Sequence, residues 1–137
     1  MAVEVEIGTA IPEFAREAGL HAWNRFAAVN DEFVPIHMDD DAGRAAGYDG
    51  AFGMGTLQFA WLHCVLRAWV EPEGGRIVRV ACNFRAPSLK GHTVTARGAV
   101  TDVRVEGDEQ LVDLEVWTEV EDGTRLAPGT ATVAFPR

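Results

Sequence analysis

An acidic pair followed closely by a histidine is the part of the sequence with the greatest capacity for chemistry. Asp31 and Glu32 come first, Pro35 follows, and His37 comes after it. Pro35 cannot donate a backbone hydrogen bond and disfavours helical backbone before it, so we predict that a helix ends near Asn30 and that these side chains lie in a loop. A carboxylate and an imidazole in one loop can perform general acid–base catalysis. The alternative is solvated surface acids and a histidine that makes a structural hydrogen bond.

A second candidate site lies at the start of the most hydrophobic segment, Phe52 to Val70. Its apolar residues cover nearly the whole circumference of a helix, which predicts a helix buried in the core. Gly53 and Gly55 near its start leave backbone N–H groups open to the close approach of a ligand atom. The same glycines are equally compatible with tight packing against a sheet. No Gly-Lys-Ser/Thr follows them, which argues against a nucleotide phosphate loop.

The elements around these two sites are predicted from periodicity. Val3, Val5 and Ile7 alternate as in a strand, and the acids that begin at Asp39 predict a short helix before Gly47. Four strands should follow Arg76, in the segments Ile77 to Phe84, Val94 to Val103, Leu111 to Val120 and Thr130 to Phe135. This order predicts an α+β fold in which a single antiparallel sheet wraps around one long central helix.

The composition places limits on the class of protein. The 137 residues are 47% hydrophobic and 24% charged, which is typical of one globular domain, here residues 1–137. The net charge of −9 argues against a nucleic-acid partner, since phosphate contacts need clustered Lys and Arg. No signal peptide and no apolar run of membrane-spanning length is visible. Cys64 and Cys82 lack metal-ligand spacing, so we expect free thiols, no metal site and a cytoplasmic protein.

Three stretches of the chain resemble the MaoC-like, R-specific enoyl-CoA hydratase branch of the hot-dog fold. They are Val34-Pro35-Ile36-His37-Met38-Asp39; Ala45-Ala46-Gly47-Tyr48 with Phe52-Gly53-Met54-Gly55; and Asn83-Phe84-Arg85-Ala86-Pro87 with Lys90-Gly91-His92. The resemblance covers nearly the whole chain. It implies a sheet curved around the central helix, a dimer with active sites at the interface, and the addition of water to a trans-2-enoyl thioester to give an (R)-3-hydroxyacyl thioester.

The resemblance also implies roles for the loop residues, with one departure. In the family an Asp, then four residues, then a His form the catalytic pair, and this spacing places Glu32 with His37. Asp31 lies one residue further away and is the second candidate for the acid. Val34 stands where the family usually has Asn. An inactive pair, in a subunit that serves a catalytic partner, is the third possibility.

The resemblance assigns an oxyanion donor to the start of the central helix. The family has a His-Gly-Met there whose glycine N–H binds the thioester oxygen; Gly55 falls on the glycine position, and Met54 stands where the His usually is. Phe52 and Met54 are among the apolar residues that could line a tunnel for the acyl chain. Arg85 and Lys90 belong to the densest basic run and could meet the phosphates of CoA or phosphopantetheine.

The expected cofactor requirement is none beyond the CoA or phosphopantetheine that the substrate carries. The expected partners are an acyl-CoA or acyl-carrier thioester and a second hot-dog subunit, in a homodimer or a heteromer. A hot-dog thioesterase is a further alternative, but the segment from Phe52 to Val70 contains no Asp or Glu to act as its catalytic carboxylate.

Overall fold

The structure is a computed structural model and describes residues 3–137. Its first half contains one short strand and three helices: β1 (Phe14–Glu17), α1 (Leu20–Asn30), α2 (Asp40–Ala45) and α3 (Gly55–Val70). Single 3-10 turns lie at Pro35–His37 and Glu71–Glu73. The second half contains four strands: β2 (Arg76–Cys82), β3 (Thr93–Glu106), β4 (Glu109–Glu119) and β5 (Gly129–Pro136).

The five strands form one antiparallel sheet in the order β1-β3-β4-β5-β2. Alternate side chains of β4, namely Val112, Leu114, Val116 and Thr118, are buried, as the period of a strand requires. Helix α3 contacts every strand, so the sheet wraps around it. The predicted arrangement of four strands after the central helix is therefore confirmed.

Helix α3 is the buried helix that the sequence predicts, but it begins three residues later than Phe52. Leu57, Trp61, Leu62 and Val65 face the core, and each is less than 10% exposed. The backbone ahead of it forms a loop that we call the strap, residues 51–54. The first three N–H groups of the strap bind other parts of the chain, and Met54 at its end caps α3. The late start leaves the strap free to carry site residues.

Helix α1 ends where Pro35 predicts. Asp31 caps it in the left-handed conformation with φ 52°, a backbone state that Asp tolerates better than most residues. Helix α2 also forms as predicted, with the Asp39 carboxylate accepting the backbone N–H of Ala42. Both helices therefore begin or end at acidic residues of the candidate loop.

The predicted strand at Val3, Val5 and Ile7 is wrong. Residues 3–6 have no regular secondary structure, and Gly8 turns the chain at φ 91° before an isolated bridge joins Ala10 to Ala99. Val3 and Val5 do pack against the core, which explains their alternation without a strand ladder. The N-terminal strand is β1 instead, and its sequence Phe-Ala-Arg-Glu lacks a clear period of two.

No helix in the described part of the chain is long and apolar enough to cross a membrane.

Candidate active site

The strap fixes the start of α3 against both neighbouring loops. Three of its backbone N–H groups are bound, one to a side chain and two to carbonyl oxygens: Ala51 to Asp40 Oδ1 at 3.0 Å, Phe52 to Ile36 O at 3.1 Å, and Gly53 to Ser88 O at 2.8 Å. Gly53 is required by this close approach, because a Cβ there would lie 2.0 Å from Ser88 Oγ and 2.7 Å from Trp23 Nε1. The strap is thus a rigid backbone scaffold rather than a mobile loop tip.

His37 is bound to the strap through one of its two ring nitrogens. The residue is 9% exposed, and its Nδ1 lies 2.8 Å from the carbonyl oxygen of Phe52. Because a carbonyl oxygen only accepts, Nδ1 carries a hydrogen and donates it. The imidazole also packs edge-on against the Phe52 ring, with centroids 5.6 Å apart. Nε2 is therefore the nitrogen available for proton transfer or for holding a water.

His37 and Gly55 line one cavity of about 260 Å³. Its wall consists of the strap, the first turn of α3 and the loop after β2: His37, Tyr48, Phe52, Gly53, Gly55, Gln58, Phe84, Arg85, Ala86 and Pro87. Within residues 3–137 the N–H of Gly55 has no acceptor, whereas that of Gly53 is occupied by Ser88. Gly55, the first residue of α3, is therefore the glycine whose amide can bind a ligand oxygen.

The Phe84 ring covers Gly55. A Cβ added to Gly55 would lie 2.7 Å from two carbons of this ring, although Phe84 itself is 55% exposed. The absence of a side chain at Gly55 lets the aromatic ring lie directly over the helix start. The Phe84 side chain therefore forms the wall of the cavity beside the free amide of Gly55.

Glu32 and Asp31 point to different places. Glu32 is half-buried and reaches the residue after Gly55: its Oε1 and Oε2 lie 2.9 and 3.0 Å from Thr56 Oγ1. Asp31 is exposed and serves as the cap of α1. No carboxylate oxygen in the described part of the chain lies within 4.0 Å of a ring nitrogen of His37. The structure thus brings Glu32 and His37 to neighbouring positions of the same helix start without a direct contact.

The two basic residues expected to meet phosphates lie in different surroundings. Arg85 is exposed at the rim of the His37 cavity, and no acidic partner for it lies within residues 3–137. Lys90 is paired with Asp40. Hydrogen bonds from Lys90 and then from the Ala51 amide hold the pKa of the Asp40 carboxyl below its ordinary value. Lys90 therefore braces the strap, and Arg85 is the cation left open.

The remaining predicted residues are placed as follows. Met54 is 1% exposed and lies in the core, so its side chain does not reach the cavity. Phe52 is partly buried and lines it. Cys64 and Cys82 are free and partly buried, and burial raises the pKa of the Cys82 thiol. No group of three or more potential metal ligands occurs among the residues that the structure describes.

A second, mostly apolar groove of about 510 Å³ begins at Thr56 and follows the outer face of α3. It is lined by Phe26, Asn30, Thr56, Phe59, Ala60, His63, Cys64 and Arg67. Thr56 therefore stands between this groove and the Gly55 amide. Sequence reasoning did not single out Thr56; the available signal was a hydroxyl beside Gly55 in a largely apolar helix.

Comparison with known proteins identifies the family of the chain. The family model described as MaoC like domain matches residues 12–123, most of the chain. The chain belongs to this MaoC-like family. It is 24% identical to the (R)-specific enoyl-CoA hydratase of Aeromonas caviae over 111 residues, which cover 81% of each protein.

Solved structures give the same fold. The (R)-hydratase from A. caviae involved in PHA biosynthesis matches with a TM-score of 0.86 and 22% identity, covering 98% of this chain and all of the other. The ChsH1-ChsH2 complex from Mycobacterium tuberculosis matches with a TM-score of 0.82 and 20% identity, covering 96% and 99%. The predicted hot-dog arrangement of a sheet around a long helix is confirmed.

Proposed function

We propose that this MaoC-like protein is a hydratase that adds water to a trans-2-enoyl-CoA, giving an (R)-3-hydroxyacyl-CoA, and that catalyses the reverse dehydration. One observation carries the proposal. The imidazole of His37 and the unpaired amide of Gly55 line the same cavity, and Glu32 is held at the next residue of α3. An imidazole, a carboxylate and a free amide are the groups that this reaction needs.

The Gly55 amide receives the thioester carbonyl oxygen. Negative charge develops on this oxygen as water adds to the double bond, and the positive end of α3 opposes that charge. Removing one such donor from an enzyme costs about 3 kcal/mol of transition-state stabilisation. Since the Gly53 amide is already bound to Ser88, Gly55 is the glycine of this pair that takes the role.

Glu32 and His37 handle the proton of the attacking water. The water oxygen bonds to the β-carbon, the Glu32 carboxylate takes one of its protons, and a proton is returned to the α-carbon. His37 orients the water through Nε2 and shares in that transfer, with Nδ1 fixed by Phe52. Glu32 and His37 make no direct contact, and in this proposal the water bridges them. Asp31, which caps α1, takes no part.

The substrate's two ends extend in opposite directions from this point. The acyl chain occupies the apolar groove between Phe26 and Phe59, which begins at Thr56. Arg85 meets a phosphate of CoA or of a carrier's phosphopantetheine. No other cofactor is needed, and a second hot-dog subunit, identical or different, completes the cytoplasmic enzyme.

The test is hydration of crotonyl-CoA and of a longer enoyl-CoA, followed as loss of the conjugated enoyl absorbance. Wild type should hydrate at least one, and His37→Ala should lose about 10²–10⁴-fold in kcat, the usual contribution of a general acid–base group. His21→Ala is the matched control, because His21 is exposed and lies away from the cavity. Equal activity of wild type and His37→Ala would contradict the proposal.

A second candidate function is a non-catalytic subunit that supports an active paralogue. It is favoured by the lack of any carboxylate within 4.0 Å of His37 in the described residues. Its signature is a folded protein that is inactive alone on the whole panel and becomes part of an active complex after mixing with a paralogue. A thioesterase, the third candidate, would release free CoA, yet α3 carries no acidic residue.

A further inference from the structure

We propose that Thr56 is a positioning residue that aims the Glu32 carboxylate at the substrate. The proposal deepens the hydratase function proposed above and rests on it. Thr56 Oγ1 lies 2.9 Å from one oxygen of that carboxylate and 3.0 Å from the other. Thr56 is also the residue that follows the free amide of Gly55. A single side chain therefore sets where the carboxylate lies relative to the oxyanion donor.

The backbone of Glu32 is fixed, but its side chain needs a further restraint. Its N–H donates to Ala27 O at 3.1 Å, and its carbonyl accepts the N–H of Val34 at 3.0 Å. These bonds leave the torsions of a long, half-exposed side chain free, and ordering such a side chain opposes substantial rotamer entropy. Thr56 supplies that restraint from a helix, and a helix positions a catalytic group more precisely than a loop does.

The other contacts of Glu32 are weaker. Asn30 Nδ2 lies 3.4 Å from Oε1, at the long limit for a hydrogen bond, and no cation pairs with Glu32 among residues 3–137. A hydroxyl has one hydrogen, so Thr56 donates to one carboxylate oxygen at a time and leaves acceptor positions on both for a water. The carboxylate is thus oriented without being neutralised.

The Thr56 side chain neither caps α3 nor packs in the core. Helix α3 is capped by Met54, with no side-chain capping bond, and the Thr56 side chain is exposed rather than packed in the core. Its hydroxyl serves Glu32 instead. The alternative is a tether that only fastens the loop to α3, and this alternative predicts a loss of stability with no specific loss in the chemical step.

The experiment compares Thr56→Val, which keeps the shape and removes the hydroxyl, with Thr56→Ser, which keeps the hydroxyl. We expect Thr56→Val to lower kcat about tenfold with KM nearly unchanged, as for a lost hydrogen bond to a charged group. Thr56→Ser should retain most of the wild-type kcat. In a Glu32→Gln background, Thr56→Val should have little further effect, because the two residues act as one unit.

Four results would overturn the inference. In an active wild type, a kcat of Thr56→Val within twofold of wild type overturns the positioning role alone. So does a full tenfold loss that persists in the Glu32→Gln background, or a loss expressed only in KM. A wild type that hydrates no enoyl thioester overturns the proposed function together with the inference. Thermal unfolding of Thr56→Val and Thr56→Ser identifies any loss due to misfolding, and the Glu32→Gln comparison stays decisive in that case.

Discussion

The His37 side and the Glu32 side of the helix start are built differently. His37 is buried and held by a backbone carbonyl of a strap whose own amides are bound at three points. Glu32 is half-exposed, and its carboxylate is held by one hydroxyl at 2.9 and 3.0 Å. One partner is therefore fixed by main chain and the other by a single side chain.

This difference predicts where the site tolerates change. Backbone hydrogen bonds persist through most surface substitutions, so the imidazole and the Gly55 amide should keep their geometry unless the strap itself is disturbed. The carboxylate depends on one pair of side chains and should respond to small changes there. Separate variants can therefore test the backbone-held His37 side and the side-chain-held Glu32 side.

The largest effect should come from Gly53→Ala, which disturbs the backbone-held half. Its Cβ would lie 2.0 Å from Ser88 Oγ and 2.7 Å from Nε1 of the fully buried Trp23 ring. A hydroxyl can rotate but a buried indole cannot easily move, so we expect the strap to shift and carry both His37 and the Gly55 amide with it. We expect about a 10²-fold loss in kcat, the effect of a displacement near 1 Å at a catalytic centre. Chemical denaturation should also show a lower free energy of unfolding. Gly91→Ala is the comparison outside the site: its φ of 80° makes alanine strained there, so it should lose stability but keep its kcat. An equal loss of kcat in the two variants would contradict the strap's role.

The next effect should come from Ala60→Phe, which fills the groove beside Thr56. A larger side chain there should lower kcat/KM for a long enoyl-CoA about tenfold or more, as expected when a few methylene groups are excluded. Crotonyl-CoA, with its short chain, should be affected much less. Equal losses on both substrates would place the acyl chain elsewhere.

A smaller effect should distinguish the role of Arg85 from that of Lys90. Arg85→Met should raise KM for an acyl-CoA about threefold, the scale of one exposed charge pair, and should not change kcat. Lys90→Met should leave KM unchanged and lower stability instead, since Lys90 is paired with Asp40. KM and the thermal midpoint of unfolding are measured for both variants. A higher KM for Lys90→Met together with a lower midpoint for Arg85→Met would mean that Lys90 binds the phosphate and Arg85 stabilises the fold.

The smallest effect is the pH dependence of the strap's anchor. The pKa of Asp40 is lowered in the folded protein, chiefly by the hydrogen bond from Lys90, so the folded state favours the carboxylate. Its contribution to stability is present above the unfolded-state pKa and is lost as pH falls through the folded-state pKa. Urea titrations of wild type and Asp40→Asn should therefore differ at neutral pH and converge in acid. A difference that grows toward acid pH would be inconsistent with this sign.

Local patterns predicted much of the fold. The apolar circumference of α3, the alternation of β4 and the Pro35 stop after α1 are each visible over a few residues, and each is confirmed. The strand β1 was missed because its four residues do not alternate and its pairing with β3 joins positions about 80 residues apart, such as Phe14 and Ala96. Hydrophobic periodicity carries no information on such distant pairs.

The site could be predicted only in part, because several of its contacts also join residues that are far apart in the sequence. His37, Glu32 and Gly55 could be chosen from their types and spacing, but the choice between Asp31 and Glu32 remained open. We favour Glu32 because Asp31 takes the left-handed cap while Glu32 reaches Thr56, 24 residues away. The bond from Gly53 to Ser88 and the Phe84 ring over Gly55 are likewise long-range contacts that no local motif indicates.

The central claim is that Glu32 and His37 act on one water as a unit. Its most direct test is a double-mutant cycle of kcat for enoyl-CoA hydration with Glu32→Gln, His37→Ala and the combined variant. Each single variant should lose about 10²-fold or more in kcat, and the double variant should be little worse than the slower single one. Losses that multiply in the double variant, or a Glu32→Gln enzyme as fast as wild type, would contradict it.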